Sequence, residues 1–321
     1  MKRKFGATAE NTHVDALLTQ IAINYRPAGM IADLIFPVVT VQKQSDYYPI
    51  FTRADILRVE KTSRSPGTEA NAISRNVSSA AYFCDNYALK YPVTIEDKAN
   101  ADPIFVQHLI NGRVEYILDK LALDWENRIA SQVTSTTNVG SSAAVASGWT
   151  DITNSDPLGD INSAIDNVKD STGMSPNSIV FGEAAWRNFR RHADIRNIIN
   201  GTNNGGGYAN VQQVQDLLEI PNILVGGAYK NTANEAQAES LTQIWNDNVL
   251  VYYSAERPST DRPSFGYSMR WAAAGLANMT VERHPFDAKK KTEEVEAGYY
   301  QDEVVTGIEY GFLMRSVNSS T

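Results

Sequence analysis

Apolar residues recur at helical spacing over one long stretch of the chain, between Pro103 and Val133. The positions that share this spacing are Ile110, Val114, Ile117, Leu121, Trp125 and Ile129. Steps of three and four residues place them on one face of an amphipathic helix. Asp102 and Pro103 suit the N-cap and the first helical residue. The pattern predicts a helix roughly 45 Å long, to which we expect other parts of the chain to attach.

A second pattern, from Ser45 to Pro92, predicts a long two-stranded excursion. Segments rich in β-formers, "YYPIF" and "SSAAYFCDNYALKYPV", flank a polar stretch centred on "SRSPGTE". An isolated hairpin of this length is only marginally stable in water. We therefore expect a surface outside the hairpin to hold it, and a partner subunit is one candidate.

Short helical and strand patterns alternate between Asp151 and Ser259, which predicts a mixed α/β domain. Asp156, Pro157 and Gly173 delimit one helix. The segments "NSIVFG" and "PNILVGGAY" predict strands, and "EAAWRNFRRHADIRNII" is interpreted as one helix. After this domain the pattern returns to strands around a charged turn. The apolar clusters before Gln44 are too short to build a core, so we expect them to lie across another surface, of this chain or of a neighbouring one.

Composition narrows the classes of function. The 321 residues include 29 Lys and Arg against 37 Asp and Glu, and the resulting net charge of −8 opposes tight binding to nucleic-acid phosphates. No apolar run approaches the ~20 residues of a membrane-spanning helix. The basic first residues lack the apolar core of a secretory signal. Cys84 is the single cysteine, which excludes an internal disulfide framework and a multi-cysteine zinc site and is consistent with synthesis in a reducing cytoplasm.

Three consecutive glycines, Gly205, Gly206 and Gly207, precede a predicted helix, which is the general arrangement of a phosphate-binding loop. A Walker A loop requires Lys and then Ser or Thr directly after its last glycine, whereas Tyr208 and Ala209 occupy these positions. A Rossmann loop requires a preceding strand, and here the preceding pattern is helical. The loop is therefore interpreted as a mobile tip between two helices.

Titratable and nucleophilic residues form no recognisable active-site motif. The four histidines are scattered, and no G-x-S-x-G elbow is present. Cys84 lies in an apolar strand pattern, where cysteine ordinarily behaves as a small hydrophobe. We predict no catalytic residues, no cofactor-binding residues and no metal site. A site built from two carboxylates stays open, because sequence alone cannot bring them together.

Two groups of charged residues are opposite in sign. They are Arg58, Lys61, Arg64 and Arg75 in the excursion, and Glu293, Glu294 and Glu296 near the C-terminus. Both are consistent with solvated faces. The alternative hypothesis is an inter-subunit contact, in which the excursion of one subunit lies across the acidic strand of another. Exposed ion pairs contribute only ~0–1 kcal/mol each, so they would set the register more than the strength of this contact.

The order of these parts resembles the major capsid proteins of tailed phages, the Hong Kong 97-type fold. Ser45–Pro92 looks like the extended loop of that family, Pro103–Val133 like its spine helix and Asp151–Ser259 like its axial domain. Within the last, "VQQVQDLLEIPNILVGGAY" is similar to a recurring helix-to-strand stretch. The resemblance implies an α+β fold in four parts. They are an N-terminal arm (1–44), an extended β-hairpin loop (45–92), a peripheral domain with the spine helix and a β-sheet (93–150 and 260–321), and a mixed α/β axial domain (151–259).

The same resemblance implies a head protein that forms hexamers and pentamers and then an icosahedral shell. Double-stranded DNA would be packaged on its inner side without sequence-specific contacts, and no cofactor, membrane or enzymatic activity is implied. The expected location is the virion, after assembly in the cytoplasm of the host bacterium. In the axial domain, Gly205, Gly206 and Gly207 are expected to let one sequence fit rings of five and of six subunits.

Candidate partners besides the chain itself are scaffolding, portal and decoration proteins. No long charged leader precedes the arm, so scaffolding is expected to be a separate protein if it is used. Some members of the family crosslink their loops through a lysine–asparagine bond. Lys61 is available in the loop, but neither its partner nor an assisting acid can be identified, and we predict no crosslink.

Three alternatives remain open on the sequence. An encapsulin-like compartment shell shares the fold but encloses enzymes, so DNA or cargo protein inside the shell would distinguish the two. A monomeric α/β enzyme with an unrecognised carboxylate site would leave the arm and the excursion without a role. A tail or portal component would form a ring or tube instead of a closed shell.

Overall fold

The computed structural model describes residues 13–15, 18–20, 22, 25, 29–51, 58–73, 77–102, 106–200, 207–255, 263–272 and 279–319. The helices in these ranges are α1 (Ala32–Ile35), α2 (Ile95–Asn100), α3 (Val106–Val133), α4 (Pro157–Thr172), α5 (Glu183–Phe189), α6 (Ala193–Asn200) and α7 (Val211–Leu218). The strands are β1 (His13–Val14), β2 (Val38–Val41), β3 (Ser45–Phe51), β4 (Val77–Phe83), β5 (Asp85–Thr94), β6 (Ser141–Ala144), β7 (Ser178–Gly182), β8 (Asn222–Gly226), β9 (Tyr229–Asn231), β10 (Leu241–Gln243), β11 (Val249–Tyr252), β12 (Gly266–Trp271), β13 (Thr280–Asp287), β14 (Thr292–Val305) and β15 (Gly311–Arg315).

Helix α3 is the long helix that the apolar spacing predicts, and it contains 28 residues. Residues 103–105, where its start was predicted, lie outside the described residues. The predicted stripe faces the protein interior, since Ile110, Val114, Ile117, Leu121 and Ile129 are all buried. Most of this stripe packs on a six-stranded sheet ordered β1-β13-β14-β12-β2, with β5 paired to β14.

Strand β14 is the longest element of this sheet and runs for 14 residues. At ~3.3 Å per residue it is about as long as α3. Its alternate residues Val295, Ala297 and Tyr299 are buried in the cluster that contains α3, so Glu294 and Glu296 point to the other face. β5 pairs with β14 from Thr292 to Gln301, while β13 and β12 pair with its first and second halves.

A five-stranded sheet, ordered β6-β15-β11-β7-β8, is covered on both faces. One side of its strands packs in a cluster with α4, α5 and α7, and the other side packs with α1 and the end of α3. Burial on both faces explains why "NSIVFG" is apolar without alternation. Strands β6 and β15 lie outside residues 151–259, so this sheet draws on more of the chain than the predicted axial segment. The four-part domain division stays a prediction.

Two helix boundaries were predicted correctly and one helix was not. Asp156 accepts a hydrogen bond from the Gly159 N–H at 2.9 Å, and Gly173 ends α4 in the left-handed conformation. The interpretation of "EAAWRNFRRHADIRNII" as one helix is wrong, because α5 ends at Phe189 and α6 begins at Ala193. The buried His192 lies at this break, and its Nδ1 accepts from the Asp194 N–H at 3.4 Å. A side chain that binds nearby backbone in this way competes with helical hydrogen bonding.

Glu126, on α3, joins three distant parts of the chain. Its Oε2 accepts hydrogen bonds from the backbone N–H groups of Ile31 and Ala32 at 2.9 and 2.8 Å, and its Oε1 accepts from Trp245 Nε1 at 2.5 Å. The residue is fully buried. Burial raises the pKa of Glu126, while its three N–H partners act in the opposite direction. An ionised carboxylate suits the position because it only accepts, and every partner donates.

We predict that Glu126→Gln destabilises the protein by about 1–3 kcal/mol. The amide NH₂ of glutamine would then face the N–H of Trp245 or the N–H groups of Ile31 and Ala32, so that two donors would oppose each other without an acceptor. Thermal unfolding followed by circular dichroism measures the loss. Glu115→Gln is the matched control, because Glu115 is exposed on the same helix, and a change within about 0.5 kcal/mol is expected there. Equal melting temperatures for the Glu126→Gln variant and the unmodified protein would contradict the role assigned to this carboxylate.

Candidate assembly surface

The base of the β3–β4 hairpin is anchored to the six-stranded sheet. Its buried apolar cluster consists of Val41, Tyr48, Tyr82, Cys84, Tyr267, Met269 and Val304. The Phe83 N–H also donates to Asp302 Oδ2 at 2.9 Å. Cys84 is fully buried in this cluster, as expected of a small hydrophobe. Burial raises the pKa of its thiol to about 11, whereas a reactive cysteine requires a lowered pKa.

The tip of the hairpin has no such support. Every residue from 58 to 73 is exposed, including Val59 at 95% and Ile73 at 76%. The hydrogen bonds within this segment are local, such as the one from Asn71 Nδ2 to the Lys61 carbonyl at 2.7 Å. The tip therefore presents apolar side chains to solvent in a single subunit.

The structure places three of the four predicted basic residues on this tip. Arg58, Lys61 and Arg64 are exposed. Arg75 lies outside the described residues. The three positive charges are accompanied by Glu60 and Glu69 in the same exposed segment, so the described tip is only slightly basic.

The three predicted acidic residues lie on β14, and each has a basic side chain of its own chain as a partner. The partners are Lys98 and Arg283 for Glu293, Lys90 and Lys290 for Glu294, and His284 for Glu296. Burial disfavours the charge of Glu293, yet Lys98 and Arg283 hold its pKa below the ordinary value. The hydrogen bond from Lys90 lowers the pKa of Glu294. The structure does not bring these carboxylates to the basic tip within one subunit, and their contact between subunits stays a prediction.

The glycine loop is only partly within the described residues. Gly205 and Gly206 lie outside them, whereas Gly207 is exposed and a Cβ atom added to it would meet no atom within 4 Å. Helix α7 follows with a capping box, in which Asn210 and Gln213 each bind the backbone of the other. No protein group near Gly207 therefore requires glycine for lack of space.

Sequence reasoning missed a group of arginines beside this loop. The guanidinium carbons of Arg190, Arg191 and Arg196 lie 5.5, 5.3 and 5.9 Å from the ring centre of Tyr208, which is half exposed. These distances allow cation–π attraction. The clustering of arginine in "RRHADIR" was the available signal, but interpretation of that stretch as a continuous helix separated it from Tyr208.

One Ser–His–Asp grouping bears on the alternative that the protein is an enzyme. Ser155 Oγ lies 3.1 Å from His192 Nε2, and Asp194 Oδ2 lies 3.6 Å from His192 Nδ1. A hydrolase requires Nε2 to accept the serine proton. Here Nδ1 accepts from the Asp194 N–H, and Ser155 Oγ donates to the Asp151 carbonyl at 2.5 Å. This places the proton on Nε2, so that His192 donates to Ser155. Ser155 and His192 are also buried, and the grouping serves as a structural hydrogen-bond chain.

Comparison with known proteins identifies the class to which this arrangement belongs. The family model described as Phage major capsid protein E matches residues 130–268. The major capsid protein of Burkholderia phage BcepMu is 25% identical over 315 residues, which are 95% of this chain and 97% of the relative. A phage-related protein from Bordetella bronchiseptica RB50 superposes with a TM-score of 0.73 at 23% identity, covering 95% of this chain and 97% of its own. The capsid structure of the cyanophage P-SCSP1u gives 0.58 at 14% identity, with 92% and 90% covered.

The chain is similar over nearly its whole length to phage major capsid proteins, and its middle part matches their family model. Its fold is the Hong Kong 97-type fold predicted from the order of its parts. A phage major capsid protein is a component of the virion. Among the described residues, no helix combines the length and apolarity needed to cross a membrane, and no cluster of three metal-ligating side chains occurs.

We predict that the double charge reversal Arg58→Glu with Arg64→Glu weakens assembly of this protein. Two exposed arginines would become carboxylates facing the acidic β14 of a neighbour, and like charges repel. The fraction of protein in particles is measured by sedimentation at a fixed concentration. Arg58→Lys with Arg64→Lys retains both charges and serves as the control. Assembly at the unmodified level in the reversed variant would refute the contact, whereas partial rescue by Glu294→Arg with Glu296→Arg would support its register.

Proposed function

We propose that this capsid protein closes into hexamers and pentamers, which form an icosahedral shell around packaged double-stranded DNA. The observation that carries the proposal is the hairpin tip, where most of the surface of Val59 and Ile73 is exposed in one subunit. Burying an aliphatic side chain of this size contributes ~1.5–3 kcal/mol. Cover from a neighbouring subunit, repeated around a ring, supplies the support that the hairpin lacks on its own.

The proposed shell has four working parts in each subunit, with the boundaries given above. The arm and the extended loop contact neighbours, the peripheral domain carries the spine helix and its sheet, and the axial domain lies near the ring axes. The six-stranded and five-stranded sheets support a division into two bodies, and the second of these includes β6 and β15 from outside residues 151–259. Stability would then depend on concentration, because assembly binds the folded subunit and not the unfolded one.

The net charge of −8 supports a lining along which DNA can move. A strongly basic inner surface would bind phosphates through counterion release and hold the DNA in place. We therefore propose contact with DNA without sequence specificity and without tight binding. We also propose that scaffolding, portal and decoration functions belong to separate proteins, that assembly takes place in the host cytoplasm, and that the chain has no enzymatic activity.

The alternatives are less well supported. An encapsulin-like compartment shares the fold, but the curated relatives are phage major capsid proteins. A monomeric enzyme leaves the exposed Val59 and Ile73 without a role. A tail or portal ring is disfavoured because the similar solved structures include phage capsids.

Size in solution tests the proposal directly. The chain is expressed alone and examined by light scattering and negative-stain microscopy. Closed shells or ring-shaped capsomers are the expected result, and the nucleic-acid content of particles from infected cells then separates a virus from an enzyme compartment. A stable 35.4 kDa monomer at high concentration would overturn it.

We predict that replacing Gly205, Gly206 and Gly207 together with alanine disturbs ring closure before it disturbs folding. Glycine reaches backbone conformations that alanine does not, and the loop is proposed to adopt different conformations in rings of five and of six. Microscopy counts closed shells against open or irregular ones, while circular dichroism reports subunit folding. Gly112→Ala on α3 is the control, since a Cβ atom there meets nothing within 4 Å. A normal yield of closed shells from the triple variant would contradict the role of the loop.

A further inference from the structure

A patch of arginines lies at the junction of α5 and α6, and its members are Arg187, Arg190, Arg191 and Arg196. Arg187 and Arg191 are exposed. In the described part of the chain, no carboxylate forms an ion pair with Arg187, Arg190 or Arg191. Asp194, the acidic residue within the same stretch, lies against His192 instead. These three arginines therefore carry positive charge that described groups of their own subunit do not pair.

The surroundings of this arginine patch have the composition of a protein–protein interface. The Nε atom of Arg190 is buried, and no described residue supplies a hydrogen-bond acceptor for it. Tyr208, against which three of the arginines lie, is half exposed, and so is Ile198 on α6. Arginine and tyrosine are enriched at the centres of interfaces, where they combine apolar contact with hydrogen bonding. The patch is therefore suited to a protein partner that supplies carboxylates and apolar side chains.

The hairpin formed by β9 and β10 has the complementary character. Every residue from 234 to 242 is exposed. The charged residues of this segment, Glu235 and Glu239, are both acidic, and Leu241 is 65% exposed. Hydrogen bonds within the turn hold its shape in the single subunit. The β9–β10 hairpin thus presents negative charge and an aliphatic side chain on a preformed extension.

The arginine patch and the β9–β10 hairpin belong to opposite faces of the five-stranded sheet. Phe189 of α5 and Ile195 of α6 pack in the cluster that contains α4 and α7. The hairpin continues into Trp245, which packs on the other face with α1 and the end of α3. At the base of the hairpin, Lys230 Nζ donates to Asn127 Oδ1 of α3 at 2.8 Å. Complementary surfaces on opposite sides of one subunit suit a head-to-tail contact between copies, and such contacts can close into a ring.

We propose that the β9–β10 hairpin of one subunit docks on the arginine patch of the next subunit around a ring. The inference rests on the ring assembly proposed above and assigns one contact within that ring. Glu235 and Glu239 accept hydrogen bonds from the guanidinium groups, and Leu241 packs beside Tyr208. Exposed ion pairs are individually weak, so burial of the apolar side chains supplies the strength of the contact and the charges set its register.

Double-stranded DNA is the other class of partner that a group of arginines can bind. Its phosphates would match the charge of the patch but not its exposed apolar side chains. The β9–β10 hairpin matches both, and every copy of the chain carries it. These observations favour the contact between subunits, and the experiments below distinguish it from binding to DNA.

Charge reversal on each side tests the contact in the full-length protein. The two variants are Arg187→Glu with Arg191→Glu and Glu235→Arg with Glu239→Arg, and all four side chains are exposed, so circular dichroism should show folded subunits. Each variant is expected to lower the fraction of protein that sediments as particles by about fivefold or more, because like charges would face each other. Combining all four substitutions should restore that fraction to within about twofold of the unmodified protein, since the opposite charges meet again.

Arg187→Lys with Arg191→Lys retains both charges and serves as the control. Unchanged assembly of the two reversed variants, or no restoration in the combined variant, would overturn the proposal. A reversed patch that assembles normally but no longer retards a DNA fragment in a gel would assign the patch to DNA instead.

Crosslinking tests the head-to-tail geometry. Arg191→Cys with Glu235→Cys puts one thiol on each surface, and the native Cys84 is buried and does not compete. A short bismaleimide is expected to give a ladder of covalent oligomers from assembled double variant and only monomers from either single variant. Assembled particles without a ladder, or dimers from a single variant, would refute this contact and leave the ring assembly standing. An unmodified protein that stays monomeric would refute the ring assembly and this contact together.

Discussion

Glu126 is a buried carboxylate on the long helix whose hydrogen-bond donors come from residues 94 to 119 positions away in sequence. An ionised group in the protein interior is tolerated only when its oxygens are bonded. The start of α1 and the indole of Trp245 must therefore both reach this point of α3. These hydrogen bonds attach the arm and the five-stranded sheet to the end of α3, whose other turns pack on the six-stranded sheet. The relative placement of the two sheets therefore depends on the hydrogen bonds of Glu126.

The other contacts among α1, the end of α3 and the five-stranded sheet are apolar. Strands β7, β11 and β15 present Val180, Leu250 and Leu313 to the side where α1 and the end of α3 pack. Because both faces of this sheet are covered, it contributes to a rigid centre. The exposed hairpin tip and the glycine loop are among the parts proposed to meet neighbours. A rigid frame with exposed extensions suits a subunit that occupies several environments in one shell.

Trp125 and Glu126 are adjacent residues of α3, and their hydrogen bonding differs. Glu126 is fully bonded, whereas the neighbouring Trp125 has a buried N–H without an acceptor. Arg270 is also buried, with its guanidinium against the rings of Trp125 and Tyr299 and its Nε bonded to Gln301 Oε1.

The sequence by itself determined the elements whose signals are local. The apolar spacing along α3, the cap at Asp156 and the stop at Gly173 depend on residues within a few positions of each other, and the order of these elements led to the capsid fold. Only the tertiary structure decided that Glu126 connects α1, α3 and Trp245, that Arg270 is buried against the rings of Trp125 and Tyr299, and that Glu293 pairs with Lys98 and Arg283. Each of these depends on groups far apart in sequence. The sequence alone does not reveal them, because a lone Glu or Arg in a helix or strand pattern is as compatible with exposure to solvent as with burial. The helix break at His192 also depends on tertiary packing, because the buried histidine ring accepts a hydrogen bond from the Asp194 N–H.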